Sequence, residues 1–340
     1  MTENQRLKFI DVARGISIIC IILGHFDQDP ITRVVFTFHV PLFYLITGYF
    51  TTDKRSFGDF VKAKARTLLV PYLITALIII VIRSIMGAVS GDMISELTHW
   101  SVVSLAGCGS PVEFGSHWFN GVGPIWFLLA TFIGSVLFRA LLSFTPVKRF
   151  AFVMAFFLVG YLTAGYVYLP LSIQAGLIAV LYMYLGYLYR SVQENVLSLP
   201  KEAKIVAVVF AFVIWIRFIK DFSSFWLVIA DLGRGPVDIL GSICACAIVL
   251  LFSRFLSEKV HYVAGFFSYF GKYSLLVMCI HCIEFKCINQ EVVYTALQDR
   301  GMSFEAALIV MIMAKLIGIL GLTYVLSKIK VVRRIMGYRN

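Results

Sequence analysis

The chain has 340 residues, of which 60% are hydrophobic and 14% are charged, and its mean hydropathy is +0.87. Soluble domains are nearer half apolar and a quarter charged, so this composition excludes an ordinary soluble protein and indicates a polytopic membrane protein. The net charge of +11 would suit a nucleic-acid-binding protein, but most of the Lys and Arg residues lie in alternate connections between apolar runs. That distribution follows the positive-inside rule, so we expect no nucleic-acid partner.

Apolar runs separated by charges, Pro and Gly predict an all-α integral membrane protein of about ten transmembrane helices. We expect a single membrane domain over residues 1–340, with no appended soluble domain. Placing the N-terminus in the cytoplasm puts the basic connections inside, and an even number of spans makes both termini cytoplasmic. The predicted spans are residues 8–26, 33–51, 67–89, 124–143, 150–169, 172–189, 204–220, 236–256, 273–288 and 305–327.

The first predicted span carries Asp11 and Arg14 near one end and His25 at the other. At about 100° per residue, Arg14 and His25 differ by roughly 20° of azimuth and about 16 Å of rise, so they share one helix face. Asp11 lies one turn before Arg14 and can pair with it. Because lipid penalises ionisable groups, this face is expected to line a protein-walled or watery cavity. The alternative is an ordinary ion pair at the inner interface, with His25 reaching the opposite headgroups.

The second span places His39 about one turn inside the outer surface. This histidine could line the same cavity or make a buried interhelical hydrogen bond. The inner connection that follows contains Lys62, Lys64 and Arg66. These cations could hold an anionic ligand, or they could simply reflect the positive charge expected of any cytoplasmic loop.

The longest connection, residues 90–123, contains no Lys or Arg and is expected to face outward. Its Trp100, Trp118 and Phe119 could stack on a sugar ring or anchor an interfacial segment. Trp126, at the outer start of the fourth span, has the same two alternatives.

The ninth span contains His281 and, three residues later on the same face, Glu284. Lipid would penalise this pair, so it is expected either to line a cavity or to be satisfied inside the protein. His281 also lies between two cysteines in "CIHC", but Cys287 is the only further ligand nearby. A zinc site usually needs four ligands, so we expect no metal.

Several of these segments resemble acyltransferase family 3, a large family of integral-membrane O-acyltransferases. The resemblance lies in "RLKFIDVARGISIICIILGH", "FTFHVPLFYLITGYF", "KAKARTLLVPYLI", "GPIWFLLA" and "FGKYSLLVMCIHCIEF", and the spacing from Arg14 to His25 is its most specific element. The nearest branch is the one that contains fucose 4-O-acetylase-like and surface-polysaccharide O-acetyltransferases. Residues 145–235 add little to the match.

The resemblance implies a ten-helix enzyme of the bacterial inner (plasma) membrane that takes acetyl from cytoplasmic acetyl-CoA. The acceptor would be a hydroxyl of an extracytoplasmic or lipid-linked glycan, so the implied partners are acetyl-CoA, a carbohydrate and membrane lipid. In this family the motif His and Arg are tied to activity, which here are His25 and Arg14. Weaker positions of the pattern are matched by His39, Arg66, Trp126 and His281.

Acyl transfer to an alcohol needs a base for the hydroxyl proton, and His25 suits that role or that of a covalent acetyl carrier. Arg14, oriented by Asp11, presents a fork of donors that suits a phosphate or a pantetheine amide of acetyl-CoA. The donor nucleotide would then lie near the inner basic residues of the third-span entrance. The predicted donor-binding residues are Arg14, Lys62, Lys64 and Arg66, and the predicted acceptor-binding residues are His39, Trp126, His281 and Glu284.

A secondary transporter or exporter of a glycan or lipid is the alternative function, with the intramembrane charges lining its pathway. Such proteins commonly have two related halves with broken helices at corresponding positions. Here the ionisable residues crowd into the first two spans, and no internal repeat is evident. The sequence therefore favours the enzyme.

Overall fold

The computed structural model describes residues 3–114 and 117–338, and this part of the chain is almost entirely helical. The helices of the first half are α1 Glu3–Gly24, α2 Asp29–Val35, α3 His39–Phe50, α4 Phe57–Lys64, α5 Val70–Ser90, α6 Met93–Ala106, α7 Trp126–Leu141 and α8 Pro146–Ala164. Those of the second half are α9 Ile173–Ser198, α10 Lys201–Lys220, α11 Pro236–Lys259, α12 His261–Lys272, α13 Ser274–Cys287, α14 Gln290–Gln298, α15 Phe304–Leu326 and α16 Lys330–Ile335.

The remaining regular structure is short. A π-helical turn, Ala65–Leu69, joins α4 to α5, and a 3₁₀ turn covers Leu227–Ile229. Strands β1 Val112–Phe114 and β2 His117–Phe119 form an antiparallel hairpin in which Glu113 pairs with Trp118.

Each of the ten predicted spans contains a helix, but not every helix has the length and composition of a membrane span. Among the described residues, six segments have this length and composition, or seven if the broken pair α12–α13 is one span. Helix α1 is excluded by its charges, Lys8, Asp11 and Arg14, and α7 by its 16-residue length. The six segments are 29–50, 57–90, 146–164, 173–196, 236–259 and 304–326. The chain is thus an integral membrane protein of helical class, and ten spans with cytoplasmic termini remain a prediction.

The chain forms two compact units. The first comprises residues 1–64, 130–169 and 173–274, and the second comprises residues 65–129, 170–172 and 275–340.

In the first unit, pairs of glycines let helix backbones touch. Gly15 of α1 lies against the carbonyl of Phe267 in α12, and Gly271 of α12 lies against the carbonyl of Asp11. A Cβ at either glycine would overlap the opposing oxygen. Helices α3 and α9 meet in the same way through Gly48 and Gly186. Small residues permit such close approach in membranes, where packing rather than the hydrophobic effect drives helix association.

In the second unit, α5 packs along α6, and the Tyr72 hydroxyl donates to the carbonyl oxygen of Ser104 at 2.6 Å. The backbone N–H of Leu171 donates to the carbonyl oxygen of Ala106, also at 2.6 Å, which ties the short segment 170–172 to the end of α6. Helices α13 and α15 are joined by an ion pair between Glu284 and Lys315.

The second predicted span is not one continuous helix, because α2 ends at Val35 and α3 begins at His39. Pro41 gives the physical reason. Proline has no N–H to donate and is tolerated in the first turn of a helix but not in its interior. A helix that starts at His39 puts Pro41 in that first turn.

The predicted outer connection 90–123 also differs from expectation, since it contains helix α6 and the hairpin. At 14 residues, α6 is too short to appear in a search for spans of about 20 apolar residues.

Candidate functional site

Asp11 and Arg14 lie in the first unit on helix α1, which continues without a break to Gly24, one residue before His25. Asp11 interacts electrostatically with Arg14 on its own helix and with Lys272 at the end of α12. Among the described residues Asp11 and Arg14 form no direct ion pair. The Arg14 Nε atom is buried and has no hydrogen-bond partner in the described part of the chain. A buried donor of this kind is normally satisfied, so it marks a place where a ligand acceptor would be stabilised.

His25 is the first residue beyond α1, and its side chain is half-buried. Its Nδ1 atom lies 2.7 Å from the carbonyl oxygen of Ile21. A carbonyl oxygen can only accept, so Nδ1 carries the proton of the neutral ring and Nε2 carries the lone pair. The local backbone therefore selects the tautomer that can accept a proton at Nε2.

His39 is held in the same manner at the start of α3. Its Nδ1 atom donates to the carbonyl oxygen of Val35, and the Phe36 ring packs against the imidazole edge at 4.8 Å between centroids. The side chain is buried and is close enough to His25 to interact with it electrostatically. Of the three histidines predicted to be functional, His25 and His39 are thus neighbours, each with Nε2 as the basic atom.

Besides Arg14, the predicted donor-binding cations are Lys62, Lys64 and Arg66, and these three differ in burial and in the unit to which they belong. Lys64 is half-buried at the end of α4, where it experiences the like charge of Arg14. Its Nζ atom also lies 5.6 Å from the centroid of the Phe60 ring. Lys62 is exposed, and Arg66 is exposed in the π-helical turn of the second unit. Of the three, only Lys64 is brought to Arg14 within the first unit.

Pro71 lies just after the π-helical turn, in the first turn of α5, and removes one α-helical hydrogen bond there. An α-helix would need the N–H of residue 71 to donate to the carbonyl of Thr67, and proline cannot do so. The extra residue of a π turn changes the register between α4 and α5. As a result the positions of Lys64 and Arg66 cannot be related by ordinary helical geometry.

In the second unit, Trp126 begins α7 and is buried, with its ring edge-on to Phe127. An aromatic-belt anchor would be exposed at the surface, so burial favours a packing or cavity-facing role over the anchor.

His281 and Glu284 form a cluster with a third residue, Lys315 of α15. The Lys315 ammonium lies 3.0 Å from Glu284 Oε2, and His281 Nδ1 lies 3.7 Å from the same oxygen. The side chains of His281 and Lys315 are 0% and 5% exposed, so the ion pair is shielded from solvent. The Lys315 ammonium also lies 5.5 Å from the centroid of the Phe285 ring.

Trp100 has a structural role rather than an exposed stacking face. It is buried, its indole N–H donates to Glu96 at 2.9 Å, and the Arg83 guanidinium lies 5.6 Å from its ring centroid. Arg83 binds the Glu96 carboxylate with two hydrogen bonds of 2.9 and 3.1 Å, which lower the pKa of Glu96. Trp118 is 64% exposed, and the side chain of Phe119 lies outside the described part of the chain.

The predicted site residues are divided between the two units. The first unit holds Asp11, Arg14, His25, His39, Lys62 and Lys64, and the second holds Arg66, Trp126, His281 and Glu284.

Three further polar groups belong with these residues. Lys272 reaches Asp11 from α12, and Lys315 is the partner of Glu284. Ser17 lies between Arg14 and His25 along α1, and its buried hydroxyl has no hydrogen-bond partner among the described residues. A basic residue within an apolar run, such as Lys315, is the signal in the sequence that points to an acidic partner.

A model of acyltransferase family 3, described as an acyltransferase domain, matches residues 7–328. The chain belongs to this family. The match includes most of α1 and the Glu284–Lys315 region.

Two curated relatives in this comparison are both named Nodulation protein NolL. The protein from Mesorhizobium japonicum is 28% identical over 158 residues, which are 42% of this chain and 38% of the relative. The protein from Sinorhizobium fredii is 28% identical over 153 residues, covering 40% of this chain and 38% of the relative. The matched region is thus less than half the length of either relative. No solved structure matches the chain.

Proposed function

We propose that this acyltransferase-family chain is a membrane O-acetyltransferase of the bacterial inner membrane. It takes acetyl from cytoplasmic acetyl-CoA and passes it to a hydroxyl of an extracytoplasmic or lipid-linked glycan. The observation that carries the proposal is the hydrogen bond from His25 Nδ1 to the Ile21 carbonyl. It leaves the basic Nε2 atom on the residue that is predicted to lie on the same side of the first span as Arg14.

In the proposed reaction the acceptor hydroxyl gives its proton to His25 Nε2 while its oxygen attacks the thioester carbonyl carbon. The new C–O ester bond forms, the C–S bond breaks, and the coenzyme A thiolate leaves. The imidazolium then returns the proton to the thiolate sulfur. General-base catalysis of this kind contributes about 10²- to 10⁴-fold to rates. The neighbouring His39 contributes to acceptor binding.

Arg14 is proposed to bind the donor through its partnerless Nε and the rest of its guanidinium. Asp11 orients Arg14, while Lys64 and Lys272 add positive charge close to this pair. Three cations around one carboxylate leave a net positive site that suits the phosphates of acetyl-CoA. Lys62 and Arg66 are proposed to guide the nucleotide to it.

On the acceptor side, Trp126 is proposed to stack on a sugar face. His281 and Glu284, held by Lys315, would offer polar groups to sugar hydroxyls. These assignments concern residues of the second unit and depend on the main proposal.

The test is thiol release from acetyl-CoA by purified protein reconstituted in vesicles, with a panel of bacterial surface glycans. We expect acceptor-dependent release of free coenzyme A and an ester on the glycan. His25→Ala should lower the rate at least about 100-fold. His261→Ala removes an exposed imidazole from the start of α12 and is the matched control, with an unchanged rate.

Full transfer activity in His25→Ala would eliminate His25 as the base. Movement of a glycan across the vesicle membrane without thiol release would instead favour the transporter. Radiolabelled acetyl retained on the protein without acceptor, and absent from His25→Ala, would make His25 a covalent carrier rather than a base.

A further inference from the structure

The first unit contains a second polar feature, a pocket of about 360 Å³ away from α1. It is formed where α3 ends, where α7 turns into α8, and along the last turns of α9. The predicted topology places all three of these helix ends on the cytoplasmic side, which positions the pocket at the level of the inner lipid headgroups. None of its lining residues belongs to the proposed acyl-transfer site.

Two arginines build the walls of this pocket. Arg149 donates to the carbonyl oxygens of Leu141, Leu142 and Phe144 and to the Tyr187 hydroxyl, at distances of 2.9 to 3.2 Å. It thereby satisfies carbonyls that the end of α7 leaves without intrahelical partners.

Arg139, which is buried and is not itself a lining residue, holds the segment that contributes Asp53 to the lining. Its Nη2 donates to the carbonyl oxygens of Asp53 and Arg55, at 3.3 and 2.7 Å. This fixes the backbone of the segment that follows α3. The walls are therefore set by charged groups that are already engaged, and they do not depend on an occupant.

Two other cations line the pocket without such engagement. Lys54 and Arg190 are both exposed, and neither has a hydrogen-bond or ion-pair partner among the described residues. Asp53 is the one carboxylate in the lining, so the pocket with Arg149 carries a net positive charge. Hydroxyls of Thr52 and Ser191 add neutral polar groups. Free guanidinium and ammonium groups beside hydroxyls suit a phosphate group.

The surroundings favour a lipid phosphate over a nucleotide. The only aromatic ring in the lining, Tyr187, is covered by the Arg149 guanidinium at 5.2 Å from its centroid, which leaves it unsuited to stack on a base. Large apolar side chains of α8, of α9 and of the connection between α7 and α8 are exposed near the pocket, where acyl chains would lie. They include Phe144, Phe150, Leu188 and Val192.

We propose that this pocket binds the phosphate of an anionic phospholipid from the inner leaflet, with Lys54 and Arg190 as its charged ligands. Basic pockets between helices on the cytoplasmic side are a general means of binding anionic headgroups. The site is independent of the proposed acyl transfer, since it uses none of the same residues.

The experiment compares phospholipid retention by the purified full-length protein in native mass spectrometry. The probes are phosphatidylglycerol and phosphatidylcholine, added separately in detergent. We expect wild type to retain phosphatidylglycerol at least about 5-fold more than phosphatidylcholine, and Lys54→Gln/Arg190→Gln to lose that preference. Lys201→Gln/Lys259→Gln removes two exposed cations elsewhere in the same unit and is the matched control, with the preference intact.

A second arm adds inorganic phosphate or coenzyme A to the lipid-loaded protein and measures retention again. Under the proposal neither displaces phosphatidylglycerol at millimolar concentration, because neither supplies acyl chains. Displacement that depends on Lys54 and Arg190 would overturn the lipid assignment in favour of a soluble phosphate compound. Equal lipid preference in the pocket variant and the control would overturn the site itself. Because both variants only replace exposed side chains, their melting temperatures in detergent should match that of wild type.

Discussion

The ammonium of Lys315 lies 3.0 Å from the carboxylate of Glu284, and both belong to helices that cross the second unit. This pair joins α13 to α15 where water is largely absent. Two charges in such a place stabilise each other, but either one alone is strongly unfavourable.

Replacing one partner should therefore lower the free energy of unfolding far more than replacing both. Lys315→Met leaves Glu284 without its cation and should lower the free energy of unfolding by about 3 kcal/mol. Lys315→Met/Glu284→Gln should recover most of that loss. Melting temperatures in detergent test this double-mutant cycle, and Lys330→Met, at an exposed position of α16, controls for loss of a lysine. Additive losses in the double variant would mean that the pair is not coupled.

Arg14→Lys should separate donor binding from chemistry. Lysine keeps the charge but replaces the forked guanidinium with a point charge and removes the Nε donor. We expect KM for acetyl-CoA to rise about 10-fold while kcat stays within about 2-fold. Initial rates across donor concentrations measure both constants. Arg33→Lys, in an exposed pair with Asp29, should change neither, and a fall in kcat alone would place Arg14 in the chemical step instead.

Gly15→Ala should disrupt the contact between α1 and α12, because the added methyl group would overlap the carbonyl oxygen of Phe267. Overpacking of this kind costs roughly 1–3 kcal/mol, and a backbone neighbour cannot move aside as a side chain can. Gly265→Ala is the matched control on α12, where a Cβ would meet no atom within 4 Å. Thermal unfolding in detergent should show a lowered Tm for the first variant only. An unchanged Tm in Gly15→Ala would mean that the two helices are farther apart.

Acid should weaken the contact between α5 and α6. The hydrogen bonds from Arg83 hold the pKa of Glu96 below that of a free glutamate. The stabilisation from this carboxylate is thus complete above the ordinary pKa of glutamate and is lost as pH falls through the lowered folded value.

The measurement is Tm at a series of pH values from about 7 to about 3, a range that covers ordinary glutamate titration. Glu96→Gln should be less stable than wild type at the neutral end, and the difference should shrink toward the acid end. Glu291→Gln, at an exposed position of α14, should follow wild type throughout. A constant difference between Glu96→Gln and wild type would exclude a contribution from Glu96 ionisation.

The helical class and the positions of most helices could be predicted from the sequence because long apolar runs report directly on lipid burial. The break before His39 could not be predicted from the apolar pattern, because nothing in "FTF" marks a helix end. Only Pro41, read as a first-turn residue, points to it. Helix α6 was missed because its 14 residues are too few for a span. Its Trp100 is buried and contacts Glu96 and Arg83, and the contact with Arg83 depends on the packing of α5 against α6.

For the candidate site, helical periodicity predicts that Arg14 and His25 share one face, and α1 continues from Arg14 to Gly24, one residue before His25. Helical periodicity gives no information on contacts between helices. Lys272 beside Asp11 and Lys315 beside Glu284 depend on tertiary packing. Nor could spacing predict the tautomer of His25, which follows from the way α1 ends and exposes the Ile21 carbonyl.

The backbone contact of Gly15 with α12 also fixes how α1 is rotated about its own axis. In ideal helical geometry Arg14 and His25 lie about 100° and about 80° to the same side of Gly15. The direction of the guanidinium and the imidazole is thus determined by a residue with no side chain. Substituting Arg14 or His25 can therefore change the reactivity of the site without rotating α1. Each of the two functional groups can be exchanged separately.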